Sequence, residues 1–207
     1  MTKSAFAAVL DGVQKPVTAL LKNVGFKRRG RAYNRAVRDG LVHAVSFQMG
    51  QFPIGEYVIP GIRESFYGRF TVNLGVMLPA VLKLETERDP PSFVPEYHCQ
   101  IRQRLGTLVY NEDVWWDLDH QADRTAHVIL ELLDQHGIPF LDQFEDHSSV
   151  VTYLERLAAF LPTTKAAQLL WERLFVFRSE IETALQRSSI RQRRRPPRRL
   201  TRVSRDT

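Results

Sequence analysis

Cysteine occurs once, at position 99, in a chain of 207 residues. A single thiol excludes an internal disulfide and leaves no second sulfur for a zinc set, so a reducing, cytoplasmic setting is the expectation. Long apolar runs are scarce too. The first, over 5–10, is broken by Asp11 and is too short for a signal-peptide core or a membrane span. No Gly-x-Ser-x-Gly elbow and no His-Glu-x-x-His pair occurs. Gly25 to Arg31 imitates the opening of a P-loop, but Arg31 and Ala32 stand where Lys and Ser/Thr are needed, and the segment follows a helix instead of a strand. Asp113, Asp117, Asp119 and Asp123 lack the glycine and spacing of a calcium loop. His98 and Cys99 are neighbours, which on a strand sends them to opposite faces and spoils joint ligation. No metal and no cofactor is expected.

What is present is an ordinary globular composition, 43% hydrophobic and 25% charged, with an uneven distribution of charge. The formal net charge is +6, but residues 186–207 hold nine arginines against Asp206 alone. The rest of the chain is slightly acidic, so the high isoelectric point belongs to the tail. That tail has no aromatic residue to stack on bases and almost nothing to bury, and disorder is expected over 188–207.

The pattern that organises the chain runs from Arg69 to Leu84. Phe70, Val72, Leu74 and Val76 alternate with Thr71, Asn73 and Gly75, the period of a half-buried strand. Ahead of it, Phe6, Val9, Leu10, Val13, Val17, Leu20, Leu21 and Val24 make one apolar stripe, a helix over 4–24 with Ser4 as cap, a kink or break at Gly12 and Pro16, and Gly25 as terminator. Asp39-Gly40 predicts a hairpin joining strands near 31–38 and 41–50, and 51–65 reads as a loop. Pro79 either ends the central strand or starts a helical turn. A further strand is predicted over 98–105, with Cys99, Ile101, Gln103 and Leu105 on one face and His98, Gln100, Arg102 and Arg104 on the other. A helix follows over about 120–135, capped by Asp119, and a helical pair over 148–160 and 164–187.

The fold class is therefore α+β: an N-terminal helix packed on an antiparallel sheet of about four strands, then C-terminal helices and a disordered basic tail. The boundaries are a domain over 1–145, a helical extension over 146–187 and an Arg-rich tail over 188–207. Several motifs recur in order: Gly25-Phe26-Lys27 with a basic run and Tyr33, then Phe70-Thr-Val-Asn-Leu-Gly75, Cys99-Gln-Ile-Arg102-Gln-Arg104-Leu-Gly106, Trp115-Trp116 and Ile138-Pro-Phe-Leu141. In these motifs the chain resembles the bacterial domain-of-unknown-function family 4304 over roughly 5–145. The resemblance implies a small α+β domain and carries over no catalytic residue.

Strand pairing of this kind would bring Ser46, Gln48, Thr71, Asn73, Arg102 and Arg104 onto one sheet face. Gln48, Asn73, Arg102 and Arg104 form the candidate ligand site, because guanidinium forks among neutral donors receive carboxylate or phosphate. The alternative is a solvated outer face whose arginines are neutralised by nearby acids. Trp115 and Trp116 are candidate partner contacts, against the alternative that both pack into the core from two sides. Arg191, Arg193, Arg194, Arg195, Arg198 and Arg199 are the candidate nucleic-acid contacts, against a merely solubilising tail. The leading expectation is a non-enzymatic binding or interaction module whose partner is a protein or an anionic ligand. A nucleic-acid-associated accessory protein working through the tail comes second. An unrecognised enzyme comes last, since no nucleophile, base and orienter can be assembled.

Overall fold

The computed structural model describes residues 5–50 and 66–159, together with the isolated positions 179 and 183. The cap Ser4, the loop over 51–65, the second helix of the pair apart from positions 179 and 183, and the six tail arginines lie outside the described residues.

Helix α1, Ala5–Asn23, buries Ala7, Leu10, Val13, Gln14, Val17 and Leu21 along one stripe. It runs unbroken through Pro16, which sits on the solvent side and, instead of breaking the helix, is carried within it. Its end is a Schellman closure. Gly25 takes φ 91°, its N–H donates to the Lys22 carbonyl, and the Phe26 N–H donates to Leu21. Phe26 then folds back into the core.

Two hairpins follow. Strand β1, Lys27–Arg29, and β2, Ala32–Ala36, are joined by Gly30 at φ 60° and Arg31. β1 is an addition to the predicted set: three exposed basic residues carry no apolar alternation to betray a strand. Asp39 and Gly40, both left-handed, turn β2 into β3, Val42–Met49. The central strand β4, Arg69–Met77, leads through Pro79 into α2, Pro79–Thr86. A single 3-10 turn, Glu96–His98, precedes β5, Ile101–Arg104. Then come the short helix α3, Leu105–Tyr110, β6, Trp116–Asp117, and α4, Ala122–Leu132. A π turn, Leu133–Gly137, carries α4 directly into α5, Ile138–Asp142, and α6 spans His147–Ala159.

The sheet is antiparallel in the order β1-β2-β3-β4-β5, with β6 also pairing to β4. β5 takes the Asn73–Val76 part of that edge and β6 takes Arg69 and Phe70. The main core gathers Val45, Phe47, Phe70, Val72, Leu74, Val76 and Ile101 under α1, α4 and α5. Val150 and Leu154 of α6 join the same core, while Leu157 is 43% exposed.

Two expectations change here. β4 is buried on both faces, where alternation predicts one wet side. The reason is a second, smaller core of Ala44, Met77, Leu82, Val94 and Cys99 on the far face. Cys99 belongs to it because β5 starts only at Ile101 and the chain bends at Gln100, so the alternation does not reach back to Cys99, which lies across the sheet from Ile101 and Gln103. Gly75 makes room: a Cβ there would stand 2.7 Å from the Cys99 sulfur. No helix among the described residues is long and apolar enough to cross a membrane.

Candidate functional site

The far face of the sheet is built in rows. Ser46 lies opposite Asn73 and Asn73 opposite Arg104, Gln48 lies opposite Thr71, and Arg102 lies opposite Gly75. The same rows continue across the sheet to Arg29 and Lys27. Four inter-strand steps separate Arg29 from Arg104, about 19 Å, so the two basic edges are separate features.

Loops cover the middle of this face. Asn34 of β2 holds the Val94 backbone with two hydrogen bonds: its amide donates to the Val94 carbonyl at 2.9 Å and its oxygen accepts the Val94 N–H at 2.6 Å. That clasp brings Glu96 over the sheet, where Ser46 Oγ donates to Glu96 Oε2 at 3.4 Å. At the other end, Thr71 Oγ1 donates to the Val114 carbonyl at 3.1 Å. Asn73 is only 5% exposed, and its amide donates to Gln48 Oε1 at 2.9 Å.

Between these covers lies a cleft of about 310 Å³ lined by Asn73, Leu74, Glu96, Arg102, Gln103 and Arg104. Its two arginines differ. Arg104 is ion-paired to Asp113, and its guanidinium stands 5.4 Å above the Trp115 ring. Arg102 is exposed and makes no ion pair among the described residues. Its charge is nonetheless felt by the Cys99 thiol, which burial and then Glu96 push up to about 12 against the downward pull of Arg102. Cys99 is thus a small apolar residue at neutral pH.

The tryptophans diverge. Trp115 stacks on Phe66, 4.4 Å between centroids, on the Arg104 side, with its indole nitrogen buried and unpartnered. Trp116 packs beside Phe70, 5.8 Å away, against the main core. Both are half-buried.

A family model described as "Domain of unknown function (DUF4304)" matches residues 17–143, more than half of the chain. The chain belongs to this family. No curated protein and no solved structure matches it. The DUF4304 segment begins within α1 and takes in the whole sheet, the Arg102 cleft and both tryptophans, and it ends ahead of α6.

One polar cluster of the DUF4304 fold gave no signal in the sequence. His43 of β3 is fully buried on the helix-covered face. Its Nε2 lies 2.8 Å from the Phe144 carbonyl, which can only accept, so Nε2 carries the proton. Nδ1 then accepts from Arg35 Nη2 at 3.0 Å. Arg35 is ion-paired to Asp142, donates to the Val24 carbonyl, and covers the Phe26 ring at 4.7 Å. Burial, mainly, lowers the His43 pKa to about 4, with the Arg35 charge adding to the effect. With both ring nitrogens occupied, His43 is unsuited to general-base work. It ties β2 and β3 to the end of α5. Among the described residues no group of three or more His, Cys, Asp or Glu could hold a metal ion.

Proposed function

We propose that this chain is a non-enzymatic, cytoplasmic binding module that receives an anionic group in the Arg102 cleft. The observation that carries this reading is the asymmetry of the two arginines. Arg104 is neutralised by Asp113 and oriented by Trp115, while Arg102 offers an exposed guanidinium without a carboxylate partner among the described residues. Its fork matches a carboxylate or phosphate bidentately, and the Asn73–Gln48 pair supplies neutral polar neighbours. Glu96 on the cleft wall narrows the ligand: it disfavours a densely charged anion and favours one flanked by a hydrogen-bond donor.

The test is a titration of the full chain with succinate and, separately, inorganic phosphate, following the Arg102 side-chain N–H by NMR. Succinate should move that signal, and Glu96→Gln should tighten succinate binding severalfold. Succinate binding that survives Arg102→Ala unchanged overturns the reading. Nucleic-acid association through Arg191, Arg193, Arg194, Arg195, Arg198 and Arg199 is the second reading, and the density of arginine in the tail supports it.

A further inference from the structure

A second basic cleft lies on the other side of the sheet, where the β1–β2 hairpin meets α1. It measures about 550 Å³ and is lined by Asp11, Lys15, Thr18, Arg28, Gly30 and Arg31. Arg28 faces α1 because its strand partner is Tyr33, on the helix-covered face of the sheet. Its guanidinium is held by neutral groups only. Nε donates to the Gly30 carbonyl at 2.8 Å, Nη1 to Thr18 Oγ1 at 3.1 Å and Nη2 to Gln14 Oε1 at 3.3 Å. The Tyr33 ring lies under it, 5.7 Å from centroid to Cζ.

The support is itself braced. Thr18 gives its only proton to the Gln14 carbonyl at 2.7 Å, so the Tyr33 hydroxyl must donate to Thr18 across their 2.9 Å contact. Gln14 is 0% exposed, and its amide nitrogen has no partner. A buried orphan donor of this kind is destabilising. Its counterpart oxygen is committed to fixing Arg28. The chain thus carries a destabilising buried amide on the apolar stripe of α1 and gains a rigid, charged guanidinium at the surface. Three of the five Arg28 N–H donors are engaged, which leaves two to project from a fixed plane.

Lys15, one turn along α1, and Arg31, whose carbonyl is anchored by the Phe47 N–H at 2.9 Å, bring two further cations to the same cleft. Among the described residues Asp11 is the single acid in its lining. Three cations around a wide opening match an oxyanion with several acceptors and more than one charge. We infer that the α1–hairpin cleft is a phosphate-binding site, in which Arg28 binds bidentately and Lys15 and Arg31 act as flanking charges. The phosphate belongs either to a small phosphorylated ligand or to a nucleic-acid backbone. This inference rests on Arg28 and its braces and is independent of the Arg102 cleft.

The experiment titrates the full chain with inorganic phosphate in one arm and a single-stranded oligonucleotide in the other, following the Arg28 Nε–H signal by NMR. Arg28→Ala strips the Gln14 brace and can unsettle the fold, so Lys15→Glu, an exposed change on α1, is the deciding variant. A shift of the Arg28 signal by phosphate, weakened fivefold or more by Lys15→Glu, supports the site and assigns it a small phosphorylated ligand. A shift seen only with the oligonucleotide, with the same weakening and a shallower salt dependence, supports the site and assigns it a nucleic-acid backbone. An Arg28 signal that neither probe moves, or binding that Lys15→Glu leaves unchanged in both arms, overturns the inference.

Discussion

On one face of β4, Phe70, Val72, Leu74 and Val76 lie under three helices; on the other, Thr71, Asn73, Gly75 and Met77 lie under a loop, a short helix and the Val114 segment. Both faces exclude water, by different means. The helix side does so with area, each fully buried aliphatic side chain contributing roughly 1.5–3 kcal/mol. The loop side does so with a small apolar core of Ala44, Met77, Leu82, Val94 and Cys99 and with paired polar groups, the Asn34–Val94 clasp and the Asn73–Gln48 and Thr71–Val114 bonds. Each such bond is worth only about 1 kcal/mol net, but a buried group left unpaired is costly. The first arrangement stabilises; the second leaves donors and acceptors near the surface, where a ligand can exchange with them. That contrast places the candidate site on the loop side.

Leu74→Ala strikes the helix side at its centre and should cost about 4 kcal/mol, measured as the shift in urea unfolding. A loss under about 1 kcal/mol would mean that the helix layer contributes little. Next in size is the pH response of His43, a buried titratable group on that face. Its folded pKa, about 4, is below the ordinary histidine value near 6.5. Between those values the unfolded chain binds the extra proton, so stability is full above pH 6.5 and is lost as pH falls toward 4. The loss should be about 3 kcal/mol, and His43→Gln should flatten that part of the profile. Burial also lowers the pKa of His147, which adds in the same sense. The smallest effects divide the loop side. Arg104→Ala should cost about 1 kcal/mol, since its ion pair is partly exposed and its ring contact adds to the loss. Arg102→Ala should change stability by less than about 0.5 kcal/mol. Equal losses from the two would erase the distinction on which the cleft is assigned.

Much of this architecture was legible in the residues. Gly25 followed by Phe26 announced the closure of α1, Asp39-Gly40 announced the turn into β3, and the alternation through Asn73 carried the sheet faces. Those signals are local, set by backbone conformation and by a period of two. What the residues do not show depends on partners distant in sequence. β1 is a strand only because β2 pairs with it, and its three basic side chains carry no pattern. Cys99 lies on the other side because the chain bends at Gln100, before β5 begins. The Arg35–His43–Asp142 cluster joins positions more than 100 residues apart. No spacing rule brings them together. For the site, the rows of polar residues could be read from strand register, whereas the pairing of Arg104 with Asp113 depends on how α3 folds the chain back.

The edges of the sheet carry a consequence for behaviour in a crowded solution. One margin is β1, three residues long and all Lys or Arg. The opposite margin is divided between two short segments with a helical excursion between them, where Gly106 fits tightly against Val114. Neither margin offers an incoming chain a long, flat, neutral ladder to extend. Among the described residues the sheet is thus closed to strand-by-strand growth, and the protein can carry a highly apolar central strand without that strand becoming a template for self-association.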